Sequence, residues 1–188
     1  MNTRRKVIYD TDPGVDDAMA LYYALAHPGI EVVGVTTTFG NVTVEQAAIN
    51  ALYLTAIAGR PGIPVTKGVR KPWMKPGETP PAHIHGADGL GNLASRVPTT
   101  NRLDPRTSAQ FIVDTCRAHP GEVTLVPVGP LGNLALAAGA TSTGPDGMFI
   151  LYLKGDATPV VVRSGAGQQR YTVASQGDLP PTLLAVLP

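Results

Sequence analysis

The chain has 188 residues, which suffices for one domain with a sizeable core and is too short for a second full domain. Its 15 Lys and Arg against 14 Asp and Glu give a net charge of +1, so the charge favours neither nucleic acid nor an anionic membrane as a partner. Cys116 is the single cysteine, which excludes an intramolecular disulfide, and no Cys/His cluster has zinc spacing.

The N-terminal stretch "MNTRRKVIYD" begins with basic residues and reaches an acid after only a short apolar run. That run is too short for a signal sequence or a transmembrane segment. We therefore expect a cytoplasmic protein whose partner is a small molecule.

The first half of the chain alternates predicted strands and helices. Residues 6–9 form a short apolar run typical of a strand, and apolar residues recur at helical spacing over 16–26. The β-branched stretch "IEVVGVTT" at 30–37 is typical of a strand buried on both faces of a parallel sheet, and 43–59 predicts a second long helix.

The same alternation returns downstream. Residues 106–118 predict a helix, and "AHPGEVTLVPVG" at 118–129 repeats the pattern of "AHPGIEVVGVTT" at 26–37. The stretch "GPLGNLALAAG" at 129–139 predicts a helix with Pro130 at its first position. These units predict an α/β fold, a mainly parallel sheet with helices on both faces. The Pro- and Gly-rich segment 67–104 is a loop of the length that is usually functional or disordered.

The character of the sequence changes at "GATSTGPDG", residues 139–147. Beyond it, "MFILYL", "TPVVV" and "RYTVAS" are typical of short β segments, without intervening helices. We therefore divide the chain into an α/β domain, 1–138, and a divergent tail, 139–188.

Four carboxylates lie within eight positions directly after the first predicted strand: Asp10, Asp12, Asp16 and Asp17. A helix N-terminus favours each negative charge by only about 0.3 to 1 kcal/mol, too little to neutralise four. A hard cation such as Ca²⁺, which takes about six to eight oxygen ligands, does so. The alternative is a solvated acidic turn, with Asp12 in an Asx turn before Pro13-Gly14 and Asp16 as a helix N-cap.

Three further stretches fall at the same predicted edge of the sheet. In "TTTFGN", the Asn41 amide is placed to bind a sugar hydroxyl, or else forms a Gly-Asn turn. In "HIHGADGLG", His85 is placed to donate to a leaving group or hydroxyl, unless the two histidines are merely surface residues. In "LVPVGPLGN", the Val128 carbonyl ends a strand where it can turn to a cation, or simply terminates the strand.

In this order and spacing, "DTDPGVDDAMAL", "VTTTFGN", "HIHGADGLG" and "VPVGPLGNLALA" resemble the nucleoside hydrolases, calcium-dependent N-ribohydrolases of the inosine-uridine-preferring type. The resemblance runs from about Lys6 to Ala138. It implies a Rossmann-like α/β domain that uses Ca²⁺ to cleave a ribonucleoside into free base and ribose.

The resemblance also implies roles for individual residues. Asp12 would be a calcium ligand and the base that takes a proton from a metal-bound water, and Asp17 and the Val128 carbonyl would be further ligands. Asp16 and Asn41 would hold the ribose hydroxyls, with His85 near the 5′-hydroxyl or the base. Asp10 has no direct role and would orient the loop from behind.

The later motifs of the family are missing. There is no histidine after Ala138, and neither the Asn/Glu/Asn group that grips the ribose nor the His-Asp pair is found. A site with fewer ligands holds Ca²⁺ weakly, so we expect weakened or absent activity. The alternative function is a non-catalytic remnant that at most binds Ca²⁺ or ribose weakly. An exposed sheet edge would favour a homo-oligomer, and the tail would reflect a shifted reading frame, a truncation or divergence.

A third interpretation takes "DTD" after a strand as the motif of an aspartate-nucleophile phosphatase. That motif requires Thr or Val two positions after its second Asp, where this chain has Gly14. The sequence therefore disfavours a phosphatase.

Overall fold

The computed structural model describes residues 4–70, 79–96 and 99–137, together with the backbone of two short strands at 149–151 and 160–162. The helices are α1 (Val15–Ala26), α2 (Val44–Ile57), α3 (Ala82–His85), α4 (Ser108–Ala118) and α5 (Gly132–Ala137). The strands are β1 (Arg5–Thr11), β2 (Ile30–Thr37), β3 (Val65–Lys67), β4 (Val123–Pro127), β5 (Phe149–Leu151) and β6 (Val160–Val162). The first four strands form a parallel sheet in the order β3-β2-β1-β4, and β5 pairs with β6 antiparallel.

The predicted α/β fold is confirmed, with shifts at several element ends. β1 extends to Thr11 because Asp10 and Thr11 pair with Thr36 and Thr37 of β2. The helix predicted from residue 106 begins at Ser108, since the Thr107 side chain accepts from Gln110 N and caps it. Among the described helices, none is long and apolar enough to cross a membrane.

The predicted start of the last helix at Pro130 is wrong. That helix, α5, begins at Gly132, and the hydrogen bond from Ala135 N to Leu131 O at its first turn leaves Pro130 outside. In the tail, the first two predicted β segments contain β5 and β6, whereas "RYTVAS" lies outside the described residues.

Apolar side chains are buried on both faces of the sheet, as the nearly continuous apolar character of β2 predicts. One cluster joins the sheet to α1 and α2; it contains Tyr9, Leu21, Val35, Leu54 and Val65. The other joins the sheet to α4 and α5; it contains Ile8, Phe111, Ile112 and Leu134. Successive residues of a strand point to opposite faces, so Ile8 and Tyr9 belong to different clusters.

Three strand ends meet at one edge of the sheet. Thr11 at the end of β1 pairs with Thr37 at the end of β2, and Asp10 pairs with Pro127 at the end of β4. The chain passes from β1 to β2 on one side, whereas β4 lies on the other side of β1. Ligands of open α/β sheets bind at such a reversal of strand order.

Candidate functional site

The residues that follow β1, β2 and β4 converge because their strands are neighbours in register. Asp12 follows β1, Asn41 follows β2 and Val128 follows β4, whereas Asp17 lies in the first turn of α1. Asn41 joins the two acids: its backbone amide donates to Asp12 Oδ2 at 2.6 Å, and its Nδ2 donates to Asp17 Oδ2 at 2.8 Å. Three of the predicted site residues are therefore in direct contact.

The carboxylate of Asp12 is buried and only half satisfied. Oδ2 accepts the amide of Asn41, but Oδ1 has no hydrogen-bond partner. Gly129 lies so close that a Cβ at this position would overlap Oδ1. Since buried polar atoms are nearly always paired, the free oxygen indicates a place prepared for a proton, a water or a cation.

The electrostatics of Asp12 agree with this geometry. Burial raises its pKa to about 7, the charges of Asp17 and Asp10 contribute in the same direction, and the hydrogen bond from the Asn41 amide opposes them. A carboxyl group with its pKa near neutrality is suited to accept and release a proton, and a bound cation would hold it ionised.

Asp17 is fixed by hydrogen bonds on both of its oxygens. Thr11 Oγ1 donates to Oδ1 at 3.0 Å, and Gly14 N donates to Oδ2 at 3.0 Å. Thr11 was not predicted from the sequence, although its place between two acids in "DTD" was a usable signal. The Gly14 amide serves Asp17, and Gly14 rather than Asp16 is the N-cap of α1. The alternative of an N-cap at Asp16 is therefore wrong.

Asp10 lies behind the loop and is fully buried. Its Oδ1 accepts from Thr36 Oγ1 at 2.5 Å and from Asn133 Nδ2 at 2.7 Å, while Oδ2 has no partner. Burial raises the pKa of Asp10 to about 6 against the lowering effect of these two hydrogen bonds. Sequence analysis missed both Thr36 and Asn133, which carry polar side chains at the ends of otherwise apolar stretches.

Asp16 lies at the outside of the site, and the mostly buried side chain of His85 lies beside it. The Asp16 side chain is 79% exposed, and its Oδ1 is 3.7 Å from His85 Nδ1. The backbone amide of Val15 also faces Nδ1, at 3.4 Å. The structure thus brings these two predicted residues together next to the acidic loop, where a Cβ at Gly14 would lie 3.0 Å from His85 Nδ1 and 2.9 Å from Asn41 Nδ2.

Val128 connects the end of β4 to this cluster through its backbone. Its amide donates to Asp10 O at 2.9 Å, and the next residue, Gly129, abuts Asp12. Thr38, whose side chain also lies close to Gly129, has a buried Oγ1 without a partner. The role predicted for the Val128 carbonyl as a ligand stays a prediction.

The candidate ligands of this site are of the type that Ca²⁺ prefers, but they are fewer than Ca²⁺ requires. The free Asp12 Oδ1, the Asp17 carboxylate and the Val128 carbonyl are all oxygens, the ligands that Ca²⁺ prefers. Within residues 4–70, 79–96 and 99–137, no three His, Cys, Asp or Glu side chains form a group that could hold a metal ion. Several of the about six to eight oxygens that Ca²⁺ takes must therefore come from water, substrate or residues outside this set.

Known proteins match the part of the chain that contains this site. Residues 7–147 match the family model described as inosine-uridine preferring nucleoside hydrolase. The chain is 47% identical over 136 residues to "Probable uridine nucleosidase 2" of Oryza sativa subsp. japonica, covering 72% of this chain and 40% of the relative. It is 41% identical over 134 residues to "Inosine-uridine preferring nucleoside hydrolase" of Leishmania major, covering 71% and 42%.

Solved structures give the same picture. The fold is similar to that of the structure titled "Plant nucleoside hydrolase - PpNRh1 enzyme", with a TM-score of 0.65 and 39% identity, covering 72% of this chain and 42% of that one. The chain spans about two fifths of the length of the curated relatives described above.

Proposed function

The chain belongs to the inosine-uridine preferring nucleoside hydrolase family, and from this premise we propose that its acidic loop hydrolyses the N-glycosidic bond of a ribonucleoside, giving free base and ribose. The observation that carries the proposal is the buried Asp12 carboxylate, whose Oδ1 has no partner at the edge where β1, β2 and β4 end. Such an edge is where α/β sheets bind ligands.

We propose Ca²⁺ as the cofactor because Asp12 Oδ1 is a buried carboxylate oxygen without a hydrogen-bond partner, and oxygen atoms are the ligands that Ca²⁺ prefers. Asp12, Asp17 and the Val128 carbonyl would hold the ion. When bound, Ca²⁺ lowers the pKa of a coordinated water and fixes its position.

Within this mechanism Asp12 acts as the general base. Its Oδ2 accepts the Asn41 amide, so the unpartnered Oδ1, which has two lone pairs, would face both the ion and the attacking water and accept the proton of that water. Asp17 keeps its orientation because Thr11 and Gly14 hold its two oxygens.

The outer residues bind the substrate. The exposed carboxylate of Asp16 and the amide of Asn41 would accept from and donate to the ribose hydroxyls. His85 stands next to Asp16 and would contact the 5′-hydroxyl or the base. His85 Nδ1 faces Val15 N and Asp16 Oδ1, which leaves Nε2 as the ring nitrogen that would face the substrate.

The test is ribose release from inosine or uridine with added Ca²⁺, followed with a reducing-sugar assay. Asp12→Asn should abolish a rate that Glu31→Gln, a change in an exposed acid at the opposite end of β2, leaves intact. A chelator should stop the reaction and Ca²⁺ restore it. Absence of turnover at high protein concentration, or turnover that survives Asp12→Asn, would refute the proposal.

One observation favours a second candidate, a non-catalytic protein that at most binds Ca²⁺ or ribose weakly. Among the described residues, no third acidic or histidine side chain joins Asp12 and Asp17 in a group that could hold a metal. Calorimetric titration with Ca²⁺ separates the two candidates: weak binding that Asp12→Asn removes, without any ribose release, supports the binding protein.

A further inference from the structure

Asn50 is a fully buried polar residue on α2, and the Nδ2 and Oδ1 of its side-chain amide make two hydrogen bonds each. Its Nδ2 donates to Pro13 O at 3.1 Å and to Asp88 O at 2.9 Å. Its Oδ1 accepts from Gln46 Nε2 at 2.9 Å and from Arg96 Nη1 at 2.6 Å. Two carbonyls on one side and two donors on the other allow only one orientation of the amide.

The two carbonyls that Asn50 binds belong to two different loops. Pro13 directly follows Asp12 in the acidic loop, and Asp88 belongs to the segment 82–96 that carries His85. The helix α2 thus joins, through one side chain, the two loops that carry the predicted base and the predicted histidine.

Arg96 completes the network from the far end of the same segment. Its Nη2 donates to Asp88 Oδ2 at 2.7 Å, and its guanidinium lies 5.5 Å from the centre of the Tyr53 ring. Asp88 Oδ1 in turn accepts from Leu90 N at 2.9 Å and Asn92 N at 2.8 Å. The segment is therefore folded around Asp88, which Arg96 and Asn50 fix to α2.

The contact between the two loops is close. Gly89 has φ +78°, and a Cβ there would lie 2.9 Å from Pro13 O and 3.0 Å from Asn50 Nδ2. Within 82–96 only Gly89 and Leu90 are buried, so apolar burial contributes little to holding the segment in place. The segment must therefore be held in place by polar contacts.

We infer that Asn50 is a positioning residue: together with Asp88 and Arg96 it holds the His85 segment against the acidic loop, and so fixes the position of His85 relative to Asp12. The part of this inference that concerns ribose binding rests on the proposed function. The part that concerns the position of the segment does not require any substrate.

The deciding variant is Asn50→Asp, which retains the shape of the side chain and the acceptor for Arg96 and Gln46. It replaces the amide group with an oxygen that faces the carbonyls of Pro13 and Asp88, so both loop contacts become repulsive. The matched control is Thr55→Val on the same helix, where the buried hydroxyl donates only to Ala51 O and Leu52 O of α2 itself.

The first measurement is amide hydrogen exchange of the full chain. In Asn50→Asp, the amides of Gly89 and Gly91, which donate to Gly86 O and His85 O, should exchange about tenfold faster or more, as expected for the loss of one or two buried hydrogen bonds. The amides of β1 and β2 should keep their rates, and Thr55→Val should change neither set. Unchanged exchange in the segment, or acceleration in β1 and β2 to the same extent, would overturn the inference.

The second measurement uses turnover. Asn50→Asp should raise the KM for the nucleoside about tenfold, while the Ca²⁺ concentration for half-maximal rate stays within about twofold, since the hydrogen bonds of Asn50 do not include the side chain of Asp12 or Asp17. The milder variant Arg96→Gln, which retains the bond from Asn50 to Pro13, should shift KM in the same direction by less. A KM equal to that of the unmodified chain would overturn the inference. If the unmodified chain releases no ribose, the proposed function fails, and hydrogen exchange alone decides on the position of the segment.

Discussion

The backbone amide of Asn41 donates to Asp12 Oδ2 at 2.6 Å, and this bond joins the loop after β2 to the loop after β1. The two oxygens of Asp12 therefore differ: Oδ2 accepts this hydrogen bond, whereas Oδ1 has no hydrogen-bond partner. The side chain of the same asparagine donates to Asp17, so one residue spaces two carboxylates that would otherwise repel each other.

Replacement of Asn41 by Asp should therefore destabilise the protein without metal. The new carboxylate would stand where an amide now donates to Asp17 at 2.8 Å, and we expect a loss of about 1 to 3 kcal/mol in the free energy of unfolding. Urea denaturation measures it. Added Ca²⁺ should recover part of the loss, whereas Asn41→Ala, which removes one hydrogen bond and adds no charge, should cost less and show no such recovery.

Stability without metal should fall as the pH rises from about 4 to about 7. Burial raises the pKa of Asp12 to about 7 and that of Asp10 to about 6, from an ordinary value of 3.8, so the folded state binds protons that the unfolded state has released in this range. The contribution is fully present below the ordinary pKa and is lost as the pH passes the raised values. Urea denaturation between pH 4 and pH 8 should show this slope, and Asp12→Asn should flatten it.

Calcium should reverse this dependence, since the ion and the proton compete for the carboxylate of Asp12. We expect the melting temperature to rise with Ca²⁺ at pH 8 and to be insensitive to it at pH 5. A Ca²⁺ effect of equal size at both pH values would place the ion away from Asp12.

The sequence was sufficient to predict the alternation of strands and helices, because apolar periodicity follows directly from burial. It also located Asp12, Asp17 and Asn41 at one edge of the sheet, since parallel strands end on the same side. Both predictions depend on local patterns and on the topology that these patterns impose.

The supporting residues could not be predicted in the same way. Asn133 bonds to Asp10, 123 positions away in the sequence, and Asn50 bonds to Asp88, 38 positions away. Neither has a local pattern that distinguishes it from an ordinary polar residue on a helix. Only the packing of α5 and α2 against the sheet brings these amides to their partners.

Gly129→Ala should strongly reduce the Ca²⁺-dependent activity, because the added methyl group would overlap Asp12 Oδ1. Displacement of a catalytic group by about 1 Å costs on the order of 100-fold in rate, and we expect a loss of that size. Gly62→Ala is the matched control, since nothing lies within 4 Å of a Cβ at that position. Ribose release under saturating Ca²⁺ measures both, and equal rates for the two variants would show that Oδ1 is not the reacting atom.

Asn133→Ala should be among the most destabilising single changes at this edge of the sheet. Asn133 Nδ2 donates to Asp10 Oδ1 and to Thr37 O at 2.8 Å, and its Oδ1 accepts from Val69 N at 2.9 Å. Truncation leaves three partly or fully buried groups without this partner, at a cost of about 1 to 3 kcal/mol each before relaxation. Urea denaturation should show a loss of at least about 3 kcal/mol, against less than about 0.5 kcal/mol for a conservative change such as Leu136→Met at an exposed position of the same helix. A loss similar to that of Leu136→Met would mean that water replaces the Asn133 side chain at Asp10. The packing of α5 against β1 would then not depend on this asparagine.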